Sequence, residues 1–223
     1  MALSNLTSVD ARLVQTVLVP VGSTEQHGPH LPLNTDTAIA QAVVDAVVDR
    51  LVADGRPVAS APAVAYGSSG EHQHFAGTIS IGTEALVTVL VELARSLRTW
   101  ANEVVFVNAH GGNVFALERA VDQLAREGHA VRWIPCATER IDLHAGRTET
   151  SLMMWIAPDD VVIERAEVGN TAPLAEILPT MIRDGVIGVS PNGVLGDPTG
   201  ASPSEGGDIL AGIVIDVLDR LDR

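Results

Sequence analysis

A mainly parallel β-sheet between layers of helices, a three-layer α/β/α fold, is what the order of apolar patterns predicts for this chain. Three observations carry that prediction. Short β-branched runs alternate with segments of helical period, and each crossover is long enough for a helix. The strand-like runs have apolar centres, as strands buried on both faces do. Chemically able polar residues gather just after the strands, where such sheets bind ligands. At 223 residues the chain can build one sizeable core, so a single domain over 1–223 is expected.

The elements follow in order. Thr16–Val21 is a β-branched run stopped by Gly22, hence a buried strand. Asn34 or Thr35 can cap a helix to about Asp54, with Ile39, Val43, Val47 and Leu51 at helical spacing and Gly55 as its stop. Pro57–Val64 reads as a second strand, and Ala65–Ser80 as a polar loop. Gly82-Thr-Glu84 opens a helix to about Ala101, with Leu86, Leu90, Leu93 and Leu97 on one face. Glu103–Asn108 is a third strand, centred on Val104–Val107. A helix from Asn113 to about Gly128 and a strand His129–Pro135 come next. Glu149–Ala157 is a helix ended by Pro158, and Ala172–Asp184 another. Gly185–Ala201 is a Gly- and Pro-rich loop able to line a site or an interface. Ser202-Pro-Ser-Glu205 is a capping box that starts a final helix.

Composition excludes several function classes. The net charge of −14 argues against nucleic acid, because neutralising phosphates needs a basic face. The single cysteine, Cys136, allows no internal disulfide and suits a reducing compartment. It reads as a small buried apolar residue. The N-terminal run has no basic region and no long apolar stretch, so no signal peptide is expected. No apolar run approaches the ~20 residues of a membrane span. A soluble cytoplasmic protein without membrane partners is the expectation.

The richest stretch is Gly22-Ser-Thr-Glu-Gln-His-Gly-Pro-His-Leu-Pro-Leu-Asn-Thr-Asp36. On extended backbone the side chains of Glu25 and His27 leave one face. Asp36 can join them if the intervening loop folds back. Six of the seven His fall in the four loops after the strands, with His129 the exception. A dinuclear site needs five or six N and O ligands and a carboxylate bridging ions ~3.5–4 Å apart. Glu25, His27, Asp36, His110 and Glu149 are the candidates, with Asp36 the natural bridge. Without Cys ligands the donors favour Zn²⁺, Mn²⁺ or Fe²⁺ over thiolate-bound metals.

Two ions sharing a water suit attack on an amide carbonyl, and the amine leaving group then needs a proton. His144 is the candidate proton donor; a loop His bonded to the backbone is the plainer alternative. His30 is expected to order the Gly-Pro-His-Leu-Pro turn or to support a ligand. His72 could bind substrate or be structural. Gly111-Gly112-Asn113, at a helix start, could receive a substrate carboxylate through free N–H groups. His74 and His129 are expected at the surface, and Glu84 and Glu118 on solvated helix faces. No phosphate loop, nucleophile elbow or His-Glu-x-x-His competes.

The run 22–36 resembles the signature of the creatininase family of metal-dependent amidohydrolases. So do Ser69-Gly-Glu-His72 with Phe75-Ala-Gly-Thr-Ile-Ser80, Asn108-x-His-Gly-Gly-Asn113, and His144-Ala-Gly-x-x-Glu-Thr-Ser151. These motifs stand in family order over about residues 16–157. Ala61–Gly67, Gly77–Leu86 and Gly193–Gly200 resemble one branch, the peptidases of the mycofactocin system. That resemblance implies an α/β/α fold and a homo-oligomer, often a hexamer. It also implies two divalent ions per subunit, one held by Glu25, Asp36 and His110 and the other by His27, Asp36 and Glu149. The implied substrate is a precursor peptide whose C-terminal Val-Tyr has been decarboxylated and crosslinked, and the reaction releases that dipeptide. Creatinine amidohydrolases carry a glutamate where this chain has Gly112, and an acid where it has Leu143. Both departures count against creatinine. Hydrolysis of another cyclic amide or formamide is the alternative within the family, and a non-catalytic metal-binding scaffold the alternative outside it.

Overall fold

The computed structural model describes residues 1–136 and 142–222. Its sheet has four parallel strands in the order β2-β1-β3-β4: β1 Thr16–Val21, β2 Val58–Ser60, β3 Glu103–Asn108 and β4 Val131–Pro135. The helices are α1 Thr35–Ala53, α2 Thr83–Leu97, α3 Val114–Arg126, α4 Arg147–Ile156, α5 Leu174–Asp184 and α6 Pro203–Leu221. The predicted alternation is therefore present, and parallel pairing follows from crossovers that each return the chain to the same end of the sheet.

Strand alternation divides the core in two. Leu18, Val105 and Val107 point to the layer of α1, α4 and α6, where they meet Val43, Val47, Met153 and Ile213. Val17, Val19, Val104 and Phe106 point to the layer of α2 and α3, against Leu86, Leu90, Leu117 and Leu124. All of these side chains are buried. Covering both faces is what a parallel sheet requires. No helix among the described residues is long and apolar enough to cross a membrane.

Three expectations change in detail. β2 is shorter than Pro57–Val64, because Pro62 has no N–H to give the ladder. The chain still follows β1 through single bonds, Ala61 N to Leu18 O at 2.8 Å and Val64 N to Pro20 O at 2.9 Å. On α2 the buried set is Leu86, Val87, Leu90, Val91 and Ala94, and Leu93 faces outward. Asn34 occupies the N-cap of α1 without a side-chain cap bond; Thr35 Oγ1 instead donates to Pro32 O at 2.7 Å. Ser202 Oγ does cap α6, accepting from Glu205 N at 3.3 Å, with Pro203 in the first turn. The Glu205 carboxylate accepts from Arg147 Nε at 2.8 Å and Ser151 Oγ at 3.0 Å, tying α6 to α4.

Candidate metal centre

The loops after β1 and β3, the turn Gly70–His72 and the start of α4 converge at the carboxyl ends of the strands. The loop after β1 is the keystone. Residues 22–26 lie outside the sheet's regular strands, yet Glu25 and His27 present ligand atoms to one cluster. The chain doubles back at Gly28, whose φ of +65° is the left-handed region that glycine adopts freely. Glu25 N donates to Leu33 O at 3.0 Å across the fold, and Thr37 Oγ1 to Ser23 O at 2.9 Å. This return brings Asp36 to its place: Ser23 Oγ donates to Asp36 Oδ2 at 2.7 Å.

The two oxygens of Asp36 serve different neighbours. Oδ1 lies 3.1 Å from His27 Nε2, and Oδ2 lies 3.1 Å from His110 Nδ1. His27 Nε2 is also 3.9 Å from Glu149 Oε2, and His110 Nδ1 is 3.3 Å from Glu25 Oε1. Each imidazole thus aims one nitrogen between two carboxylates. Its other nitrogen is held on a backbone carbonyl: His27 Nδ1 donates to Glu25 O at 3.1 Å, and His110 Nε2 to Ser68 O at 3.1 Å. That arrangement is the one metal-ligating histidines use.

Electrostatics support the same reading. Burial opposes charge on His27, but Asp36, Glu149 and Glu25 overcome it and raise its pKa to about 10. His110 is likewise pushed up, against burial, by Glu25 and Asp36. Both carboxylates stay ionised despite burial: His110 lowers Glu25, while His27 and His110 lower Asp36. Glu149 is raised to about 7, first by burial. In the metal-free protein one proton therefore sits in each gap between carboxylates, and a cation can replace it. Glu25 sharpens the test of fit. Both its oxygens are fully buried with no well-formed hydrogen bond, although three imidazole nitrogens lie 3.3–3.8 Å from Oε1. A buried carboxylate in that condition is costly unless a cation completes it.

Among the described residues, three groups of side chains have ligand atoms within 4.8 Å of one another: Glu25, His27 and Asp36; His27, His144 and Glu149; and Glu25, His72 and His144. Hydrogen bonds discriminate among them. Gln26 Nε2 has two N–H groups, which go to His72 Nδ1 at 2.8 Å and Gly193 O at 3.1 Å. His72 Nδ1 is then an acceptor, and its Nε2–H faces Glu25 Oε1 at 3.5 Å. This His72 holds the carboxylate and has no lone pair for a metal. His144 Nε2 donates to Gln26 O at 2.8 Å, which leaves Nδ1 open towards Glu25, 3.8 Å away. Burial keeps both rings neutral, with the His72 pKa at about 3 and that of His144 also lowered.

Other sequence-predicted residues fall on either side. Gly111 and Gly112 line the cavity above the cluster, as do His72, His110 and His144. Asn113 lies off the lining of that cavity, and its backbone N–H donates to His110 O at 3.2 Å. It is fully buried, donates to Gly22 O at 2.9 Å and Asn108 Oδ1 at 3.1 Å, and accepts from Ser68 N at 2.9 Å. Those bonds use its amide to pin three loops together. His30 Nε2 donates to Thr150 Oγ1 at 2.9 Å and supports α4 from below. His74 is exposed and His129 partly so. Glu84 pairs with Arg119 on the outer surface. Cys136 packs against the α1, α4 and α6 core, where burial and then Asp36 push its thiol up to about 12.

Two residues had no assigned role in the sequence. Gln26 lies between the two ligand candidates, and alternation would have turned it away; its contacts to His72, His144 and Gly193 appear only because the loop is irregular. Glu71 lines the cavity, with Oε1 3.6 Å from His110 Nε2. A Cβ added at Gly112 would lie 2.5 Å from Glu71 Oε1, 2.5 Å from His110 Nε2 and 2.3 Å from Ser68 O. The carboxylate of Glu71 thus takes space that any side chain at 112 would need. The Gly112 signal was visible, but its partner was not.

The profile of the Creatininase family, described as creatinine amidohydrolase, matches residues 4–221. The chain belongs to the creatininase family. It is 55% identical over 213 residues to the mycofactocin precursor peptide peptidase of Mycobacterium tuberculosis (strain CDC 1551 / Oshkosh), covering 93% of this chain and 85% of that one. To the protein of that name from Mycolicibacterium smegmatis it is 54% identical over 212 residues, covering 95% and 86%. Among solved structures, a crystal structure of creatinine amidohydrolase superposes with a TM-score of 0.82 at 26% identity, covering 98% of this chain and 95% of that one. Family members of comparable likeness are titled a manganese creatininase (TM-score 0.80, 25% identity) and a Zn–Zn type (TM-score 0.76, 26% identity). This creatininase-family chain is accordingly a hydrolase of C–N bonds, and its fold is the family's three layers.

Proposed function

We propose that this chain is a metal-dependent peptidase that releases the modified C-terminal Val-Tyr dipeptide from the mycofactocin precursor peptide by hydrolysing one amide. The carrying observation is the buried pair of carboxylate–imidazole–carboxylate gaps joined by Asp36, in a chain 55% identical to peptidases of that name. Glu25, Asp36 and His110 would hold one divalent ion, and His27, Asp36 and Glu149 the other. The donors suit zinc, manganese or iron. When bound, the ions would supply a water acidified towards neutrality and positive charge for the developing oxyanion.

The chain's own groups do the rest. Gln26 fixes the ring of His144 through the bond to its backbone oxygen, so the proton is exchanged at Nδ1. Nδ1 takes a proton as the amide is attacked and returns it to the leaving amine. Glu71 and Gly112 shape the cavity beside His110, and the absence of a side chain at 112 argues against creatinine as substrate. A homo-oligomer, hexameric in the family manner, and a cytoplasmic location complete the reading; sedimentation of the purified protein tests the former. The decisive experiment is mass spectrometry of the crosslinked precursor incubated with metal-loaded enzyme. Release of the dipeptide, abolished by a chelator, is the expected result. An intact precursor with folded, metal-loaded enzyme would refute it.

A further inference from the structure

One end of the cavity has nothing to do with metal. The space above the cluster measures about 470 Å³, and α5 walls it with Leu174, Leu178, Met181 and Ile182, joined by Leu143 from the segment just before His144. Positions 174, 178, 181 and 182 share one face of the helix. The helix's buried contact is Ile177, which with Val186 and Leu195 forms a small core separate from the two main ones. Of the shared face, Met181 also packs against this small core, whereas Leu174, Leu178 and Ile182 are not part of it. Leu174 remains 42% exposed, Leu178 37% and Ile182 77%. An apolar stripe this open, set opposite a floor of carboxylates and imidazoles, has the form of a binding surface.

We propose that this α5 face, with Leu143, is the subsite that receives the apolar and aromatic side chains of the released C-terminal dipeptide, and that it sets the specificity of the enzyme. The proposal rests on the peptidase reading above and extends it. The wall is continuous with the cluster, so whatever lies on it is next to the bond being cut. A volume of about 470 Å³ sits low in the ~300–1,000 Å³ range of small-ligand sites, room for a dipeptide-sized fragment and not for a folded partner. The chemistry of the wall selects too. Five aliphatic or thioether side chains offer no hydrogen bond, so a charged side chain would lose water there without recompense, whereas a valine and the face of a tyrosine ring would gain by burial with the phenolic O–H left towards water. Leu143 is held in place by Leu143 N donating to Leu195 O at 3.1 Å, next to the catalytic His144.

Steady-state kinetics on the crosslinked precursor test this with wild type, Ile182→Glu and Ile182→Leu. Ile182 is exposed, so neither change should disturb folding. Ile182→Glu should raise KM by about tenfold or more with kcat little changed, as loss of uniform binding does, and Ile182→Leu should restore it. Metal content and sedimenting mass should stay at wild-type values. A wild-type KM for Ile182→Glu overturns the proposal. So does a fall in assembly mass, which would assign α5 to contact with a second copy of the chain. If wild type leaves the precursor uncut, the peptidase reading fails. Calorimetric binding of the free crosslinked dipeptide to metal-loaded wild type and Ile182→Glu then still decides the subsite: tighter binding to wild type supports it, and equal or absent binding rejects it.

Discussion

The floor of the cavity hangs from the ends of β1 and β3 and the start of α4, whereas its wall is carried by α5, whose neighbours are the turns Gly70–His72 and Val186–Gly188. Floor residues Glu25, His27, Asp36 and His110 are buried, and the last three are braced by bonds to backbone and to Ser23. Wall residues stand on a satellite core of Ile177, Val186 and Leu195 and remain partly open. Reaction chemistry needs side chains held to a fraction of an ångström, which only the rigid interior provides. Recognition of apolar groups needs area more than precision, so a lightly anchored helix suffices. Within this architecture, substrate range can change at the wall without touching the metal-binding frame.

That contrast can be broken from the floor first. Asp36→Ala should remove both ions and lower kcat/KM by about 10³-fold or more, the scale of losing preorganised charge at the reacting centre. Elemental analysis should find almost no metal; full occupancy would contradict the bridging role. Glu149→Ala should cost mainly one ion per subunit. Equal loss of both ions in the two variants would place the carboxylates differently from the assignment above.

Gly112→Ala probes the junction between floor and wall. The new methyl must displace Ser68 O, which is backbone, and the carboxylate of Glu71. Overpacking of this kind costs about 1–3 kcal/mol, or roughly 2–4 °C in Tm per kcal/mol for a chain this long. An unchanged melting curve would mean that the Glu71 loop gives way freely. Leu143→Ala should have the smallest effect. It removes one apolar contact from the wall and should raise KM by about tenfold at most, with metal content unaltered. A larger fall in kcat than rise in KM would instead make Leu143 a support for His144.

Much of this frame was legible in the chain. The four strands and their crossover helices were visible because a parallel sheet buried on both faces leaves apolar runs such as Val104-Val-Phe-Val107. The convergence of Glu25, His27, Asp36, His110 and Glu149 followed from their positions after strands. Glu25 and His27 present ligand atoms to one cluster, although the loop that carries them has no ladder bonding. The N–H of Asn113 is not free at the helix start, because it donates to His110 O, and its side-chain amide pins three loops. β2 was read too long because Pro62 interrupts a run whose composition otherwise suits a strand.

Pattern and residue type were enough to determine the fold class and the ligand inventory, because period, burial and strand-end position are local properties of the chain. Contacts that depend on how loops return to one another were not. Gln26 turns inward to orient His72 and His144, Glu71 takes the space left by Gly112, and α5 lays an apolar stripe along the same cavity. Each joins segments dozens of residues apart, and the packing of the layers, not the neighbouring sequence, sets which side chains meet. The tertiary structure therefore decided which nitrogen each histidine presents and what kind of surface lies beside the reacting bond.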